Sequence, residues 1–134
     1  MLYHMTWKLY PGTKRETLDQ FGKMNAEMDA MDAGDDVKVI CRLSDLGEGT
    51  GMVIADCKSA SALQAWCYNW TGACELKATP VCTDTEMRRI INKQPAKSEP
   101  TPDPLKFDES MDIFYMTWKI DRPHIAACMS AYGK

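Results

Sequence analysis

A few polar side chains at strand-like positions carry the chemistry that this sequence could support. His4 is the candidate catalytic residue, because an imidazole with an ordinary pKa of about 6.5 can act as a general base near neutral pH. Arg42 and Lys77 are cations that could hold a small carboxylate or phosphate, Arg42 through two parallel hydrogen bonds. The hydroxyls of Thr6 and Thr79 complete this predicted ligand-binding set.

The same residues have a simpler interpretation. They could be solvated side chains of an exposed sheet, or polar contacts at a dimer interface. A lone strand histidine is more often structural, and His4 has no obvious second titratable partner in the sequence. Three classes of function therefore stay open: a protein that binds a small anionic molecule, an enzyme, and a purely structural or interaction domain.

The cysteines do not follow the spacing of a metal site. They form no C-x-x-C pair, and no nearby histidine has a spacing that would suggest zinc, so we expect no metal and no cofactor. Those at 41, 57 and 82 lie in apolar, strand-like runs, which predicts buried free thiols. The six are Cys41, Cys57, Cys67, Cys74, Cys82 and Cys128.

The first elements that must position these residues are a strand and a helix. Residues 2–9 alternate between apolar and mixed positions, which is typical of a strand. Thr13 and Glu16 predict a capping box, and a helix follows to about Gly34. Its apolar stripe predicts core packing for Leu18, Phe21, Met24, Met28 and Met31.

The remaining elements complete a split pattern. Strands are predicted at 37–44, 51–57 and 75–82, the first two joined by a glycine-rich hairpin. Ser59 or Ser61 caps a helix whose apolar side carries Leu63, Trp66 and Trp70, and a short helix follows Thr83. The order β-α-β-β-α-β predicts a ferredoxin-like α+β sandwich, in which two helices cover one face of a four-stranded antiparallel sheet.

Strand phase then separates two faces of the sheet. Tyr3, Met5 and Trp7 are predicted to lie under the helices, on what we call the helix face. The other side, the opposite face, meets water or closes against a partner sheet. The residues predicted on the opposite face are His4, Thr6, Lys8, Arg42, Lys77 and Thr79.

The chain divides into three predicted segments. Residues 1–92 form the ferredoxin-like domain, and 93–108 form a linker with four prolines. Residues 109–134 are a partial repeat, because Met-Thr-Trp-Lys occurs at 5–8 and again at 116–119. We predict an extra strand and helix there that dock on a sheet, which would add Tyr115, Thr117 and Lys119 to the opposite face.

Composition argues against two classes of partner. The net charge of −3 gives no general attraction to polyanions, and the third strand carries no aromatic residue on which RNA bases could stack. No apolar run is long enough to span a bilayer, and the N-terminus is unlike a secretory signal. We expect a soluble, cytoplasmic protein that binds neither nucleic acid nor membrane.

Several short motifs resemble one family, the domain-of-unknown-function family numbered 3303. They are the opening Met-Leu-Tyr-His-Met-Thr-Trp-Lys, the Cys-Arg-Leu-Ser-Asp at 41–45, the glycine-rich hairpin, the Leu63-x-x-Trp66-x-x-x-Trp70 helix and the Thr-Pro-Val at 79–81. The resemblance covers about residues 1–90 and implies a ferredoxin-like fold paired as a homodimeric α+β barrel. It implies no activity, and His4 stands where an apolar residue is more usual.

Such a barrel would enclose a cavity between two sheets. We predict that a small anionic molecule binds there. The alternative, by analogy of fold alone, is a cofactor-independent enzyme of the monooxygenase or isomerase kind.

Overall fold

The computed structural model describes residues 1–95, 97 and 99–121. In this part of the chain, an open four-stranded antiparallel sheet combines with four α-helices, which confirms the predicted α+β class. A short 3-10 turn, Pro11–Thr13, follows the first strand. In chain order the elements are β1 Leu2–Leu9, α1 Lys14–Gly22, α2 Ala26–Ala33, β2 Val37–Asp45, β3 Thr50–Cys57, α3 Ala60–Trp70, β4 Cys74–Pro80 and α4 Asp84–Ile91.

The sheet has the strand order β2-β3-β1-β4. β1 is central, and its Met5 lies opposite Val53 of β3 on one side and Ala78 of β4 on the other. Because directly opposed residues of antiparallel strands point to the same face, these pairings place all three side chains on the helix face.

The main core lies between the helix face and α3. Met5, Val53 and Cys57 are 4%, 1% and 0% exposed, and α3 contributes Leu63 and Trp66, each 4% exposed. Ser59 begins α3, since its side chain accepts a hydrogen bond from the backbone N–H of Ala62. Burial of this apolar surface is the dominant stabilising term for the sheet and its helix.

The helix predicted from Thr13 to about Gly34 is two helices, so this prediction is wrong. Asn25 interrupts it, because its side-chain oxygen accepts from the N–H of Met28 and starts α2. Thr13 makes no side-chain capping bond. Met28 and Met31, on α2, are 48% and 78% exposed, so the predicted core packing of these two residues is wrong.

A β-bulge in β2 reverses the predicted phase of its second half. The register shifts between Val39 and Cys41, so Arg42 lies opposite Val53 and Leu43 lies opposite Met52. An extra residue in one strand moves every later side chain to the other face. The predicted placement of Arg42 on the opposite face is therefore wrong, and Arg42 lies on the helix face.

The described part of the chain divides into two compact units. The first holds residues 1–81 with 102–106, including the sheet and α1 to α3; Leu105 there donates its N–H to the carbonyl of Ile40 on the outer strand β2. The second holds 82–101 and the described residues from 107, including α4. Thr83 begins α4 by accepting from the N–H of Glu86.

The predictions for the C-terminal part of the chain have different outcomes. Residues 111–120 contain no regular secondary structure, so the strand predicted there is not formed. The helix predicted beyond it, like Cys128, lies outside the described residues. The boundary at residue 92, the linker and the docking of the repeat stay predictions. None of the helices in the described ranges combines the length and apolar character that crossing a membrane requires.

Candidate functional site

A cleft lies between the helix face of the sheet and helices α1 and α3. It opens to solvent and encloses about 70 Å³. Its lining is mostly apolar and includes three of the four tryptophans of the chain. The lining residues are Met5, Trp7, Leu9, Thr17, Leu18, Phe21, Arg42, Ser44, Val53, Trp66, Trp70, Cys74 and Leu76.

Close contacts fix the aromatic part of this lining. Trp7 packs directly on Gly51 of the neighbouring strand, where a Cβ would overlap the indole ring. Phe21 and Trp70 meet edge to face, with ring centroids 6.1 Å apart. The guanidinium carbon of Arg42 lies 5.1 Å from the centroid of the Phe21 ring, which is a cation–π arrangement.

Arg42 is already neutralised by a carboxylate. Its two terminal nitrogens donate to the two oxygens of Asp29 on α2, at 3.0 and 2.6 Å. The Arg42 side chain is 19% exposed and that of Asp29 is 34% exposed, so the pair is partly shielded from water. A bidentate pair of this kind holds the guanidinium in one orientation.

A second carboxylate of α2 fixes two indole rings. The Oδ2 atom of Asp32 accepts from Nε1 of Trp66 at 3.0 Å and from Nε1 of Trp70 at 2.7 Å. Its Oδ1 atom accepts from Nδ2 of Asn69 at 3.2 Å. Both tryptophans therefore have their polar N–H groups satisfied while their rings line the cleft.

Helix α2 thus fixes side chains of the cleft lining through its two carboxylates, which do not line the cleft themselves. It has no buried residue, yet Asp29 binds Arg42 and Asp32 binds Trp70, and both of these partners line the cleft. Phe21 contacts both Arg42 and Trp70. The spacing of three residues places the two carboxylates on one side of the helix.

The thiols near the cleft are poor nucleophiles. Burial, with a smaller contribution from Cys67, raises the pKa of Cys74 to about 11. Burial also raises the pKa of Cys67, whose Sγ lies 3.4 Å from the sulfur of Met5. A thiol that stays protonated at neutral pH neither attacks an electrophile nor binds a metal readily.

The three cysteines that were predicted to be buried differ in their exposure. Cys41 and Cys57 are buried as predicted, but Cys82 is exposed because β4 ends at Pro80. Across the part of the chain that the structure describes, no group of histidine, cysteine and acidic side chains could hold a metal ion.

Four of the five predicted site residues come together on the opposite face. On the paired strands β1 and β4, His4 lies opposite Thr79 and Thr6 lies opposite Lys77. Arg42 is separated from them by the thickness of the sheet. Arg42 and Lys77 therefore lie on different faces of the sheet and do not form the predicted pair of cations.

The comparisons with known proteins come down to one match. The family model described as Domain of unknown function (DUF3303) matches residues 1–95. No curated protein and no solved structure matches the chain. Because the matched residues are well over half of the chain and include the whole sheet, the predicted resemblance is confirmed, and the chain belongs to the DUF3303 family.

Proposed function

We propose that this protein binds a small, flat, uncharged and mostly apolar molecule in the cleft between the helix face and helices α1 and α3. The observation that carries this proposal is the lining itself. An aromatic wall of Trp7, Phe21 and Trp70 adjoins an arginine whose charge Asp29 already balances. Apolar surface with a few fixed polar groups is the usual composition of a small-molecule site.

The size of the cleft limits how the ligand sits. An enclosed cavity of about 150 Å³ is known to hold a benzene ring. The enclosed part here is about 70 Å³, so it would surround roughly one edge of a ring, and the rest of the ligand would extend toward solvent. Such partial burial favours modest affinity.

Binding is favoured over catalysis by the groups that face the cleft. Among the described lining residues, the only groups able to take part in proton or nucleophile chemistry are Thr17, Ser44 and Cys74. Burial keeps the Cys74 thiol protonated, and a hydroxyl needs an adjacent base before it becomes a nucleophile. The described lining offers no imidazole or carboxylate for that role.

Equilibrium dialysis against 2-naphthol, which is uncharged at neutral pH, tests this proposal. We expect saturable binding with a dissociation constant on the order of 0.1–1 mM, because only part of the naphthyl ring leaves water. Absence of saturable binding would contradict the proposed function.

Two neighbouring substitutions locate the binding. Ser44 is exposed and lies opposite Gly51 on the helix face, whereas Leu43 lies opposite Met52 on the opposite face. Ser44→Phe places a ring at the cleft and is expected to weaken 2-naphthol binding at least about tenfold. Leu43→Phe adds a ring of the same size on the other side of the sheet and should leave the affinity unchanged.

A second proposal concerns the opposite face. The strand order β2-β3-β1-β4 supports a ferredoxin-like fold of the dimeric α+β barrel type, in which two copies pair through their sheets. The cross-strand pairs His4–Thr79 and Thr6–Lys77 would then face a small anion between the copies. Arg42 no longer belongs to this set.

Sedimentation velocity and thermal unfolding test this second proposal. We expect a dimer whose melting temperature rises with inorganic phosphate. Lys77→Glu should abolish the phosphate effect, and Lys23→Glu, at an exposed position after α1, should preserve it. A monomer, or a phosphate effect that survives Lys77→Glu, would contradict the proposal.

A further inference from the structure

We infer that Asp29 determines the charge selectivity of the cleft, by neutralising Arg42 and so reserving the site for uncharged ligands. This inference rests on the proposed function and adds to it the residue that excludes anions. Asp29 itself does not line the cleft, but Arg42 does. Asp29 therefore acts on the ligand through Arg42. It is therefore a specificity-determining residue that does not touch the ligand.

The geometry makes Asp29 a built-in substitute for an anionic ligand. Its two carboxylate oxygens accept from both terminal nitrogens of Arg42, at 3.0 and 2.6 Å. This is the fork-to-fork arrangement that an arginine offers to any carboxylate. An anionic ligand would have to displace Asp29 or approach it, and both are unfavourable.

Arg42 would stay in place if the charge of Asp29 were removed. Its guanidinium also rests on the Phe21 ring, at 5.1 Å, and its strand position is fixed by pairing with Val53. An arginine has five N–H donors, and Asp29 accepts hydrogen bonds from two of the nitrogens that carry them. Without the carboxylate, the cleft would present an unbalanced cation with free donors.

The substitution Asp29→Asn tests this inference, because it keeps the side-chain shape and removes the charge. Two probes share one ring system and differ in charge: 2-naphthol is neutral, and 2-naphthoate is an anion at pH 7. Equilibrium dialysis gives the dissociation constant of each. The measured quantity is the ratio of the naphthoate constant to the naphthol constant.

We expect this ratio to fall by about tenfold to a hundredfold in Asp29→Asn, the range of one charge-assisted contact. The control is Asp19→Asn. Asp19 also pairs with an arginine, Arg15 at 3.2 Å, but both side chains are exposed on α1 and neither lines the cleft. The ratio should stay at the parent value in this control.

The outcomes separate the two proposals. An unchanged ratio in Asp29→Asn overturns the role of Asp29, and a parent protein that binds 2-naphthol would still uphold the proposed function. If the parent binds neither probe, the proposed function fails. In that case, binding of 2-naphthoate by Asp29→Asn would still support the role of Asp29, and no binding of 2-naphthoate by this variant would overturn that role. Asp29→Ser, which leaves space for a ligand carboxylate beside Arg42, repeats the test if the amide variant does not fold.

Discussion

Cys74 is a buried thiol whose titration is strongly changed by the fold. It is 4% exposed, lines the cleft, and its Sγ lies 3.5 Å from the carbonyl oxygen of Trp70. Loss of water around the thiolate raises its pKa from 9.0 to about 11, and the neighbouring Cys67 adds a smaller contribution in the same direction. The neutral thiol therefore behaves as a small apolar side chain at physiological pH.

This shift predicts a loss of stability in alkali. The folded pKa is higher than the unfolded one, so the native state binds more protons, and the free energy of unfolding falls as pH rises from 9 to 11. Full ionisation of this one group corresponds to roughly 2–3 kcal/mol. Urea unfolding between pH 8 and pH 11 measures the change.

Two variants separate Cys74 from other groups that titrate in this range. Cys74→Ala should flatten the decline in unfolding free energy above pH 9, whatever its effect at neutral pH. Cys82→Ala, at an exposed cysteine, should keep the slope of the parent. Equal slopes in Cys74→Ala and the parent would show that the buried thiol does not contribute.

At the scale of elements, α2 is joined to its neighbours by several polar contacts. It has no buried residue, and its N-terminal cap is the side chain of Asn25. Asp29 and Asp32 connect it to β2 and α3. Ala33 at the end of the helix also packs against the core, so polar and apolar contacts together hold α2 in place.

Removal of one of these carboxylates should loosen the aromatic wall. Asp32→Ala leaves the indole N–H groups of Trp66 and Trp70 without their acceptor, and Trp66 is 4% exposed. We expect a loss of about 1–3 kcal/mol in unfolding free energy, the cost of an unsatisfied buried donor. Near-UV circular dichroism should also weaken, because the indole rings lose their fixed orientation.

The matched variants for this experiment are Asp32→Asn and Asp35→Ala. The amide oxygen of Asp32→Asn can still accept from both indoles, so its loss of stability should be well below that of Asp32→Ala. Asp35 is an exposed carboxylate just beyond α2, and its removal should change little. Asp32→Ala with the stability and near-UV spectrum of the parent would refute the positioning role.

Local sequence patterns predicted the strands well, but they did not predict the break before α2 or the bulge in β2. Strand alternation placed all four strands within a few residues of their observed bounds. The break before α2 had a local signal in Asn25, a strong capping residue, which the apolar stripe of methionines obscured. The bulge after Val39 had no such signal, because its cost and benefit depend on the partner strand.

At the scale of the whole molecule, the cleft is a product of distant residues. Arg42 and Asp29 are 13 positions apart, and Trp70 and Asp32 are 38 apart. The first pair joins β2 to α2 and the second joins α3 to α2, so neither pair lies within one element. Sequence patterns within one element therefore predicted the tryptophan side of α3 but could not predict the cleft, or that Arg42 faces it.

The distribution of tryptophan provides a direct test of where ligands bind. Trp7, Trp66 and Trp70 line the cleft, and Trp118 is 85% exposed in a segment without regular structure. Each indole N–H gives its own signal in a ¹H–¹⁵N spectrum. The chain thus carries three reporters of the cleft and one internal control.

The deciding measurement is a titration of ¹⁵N-labelled protein with 2-naphthol, followed at the four indole N–H signals. Binding in the cleft predicts saturable shifts of the Trp7, Trp66 and Trp70 signals with a common dissociation constant, and a Trp118 signal that stays in place. Shifts at Trp118 alone, or cleft signals that do not move at saturating ligand, would contradict the assignment of the cleft as the binding site.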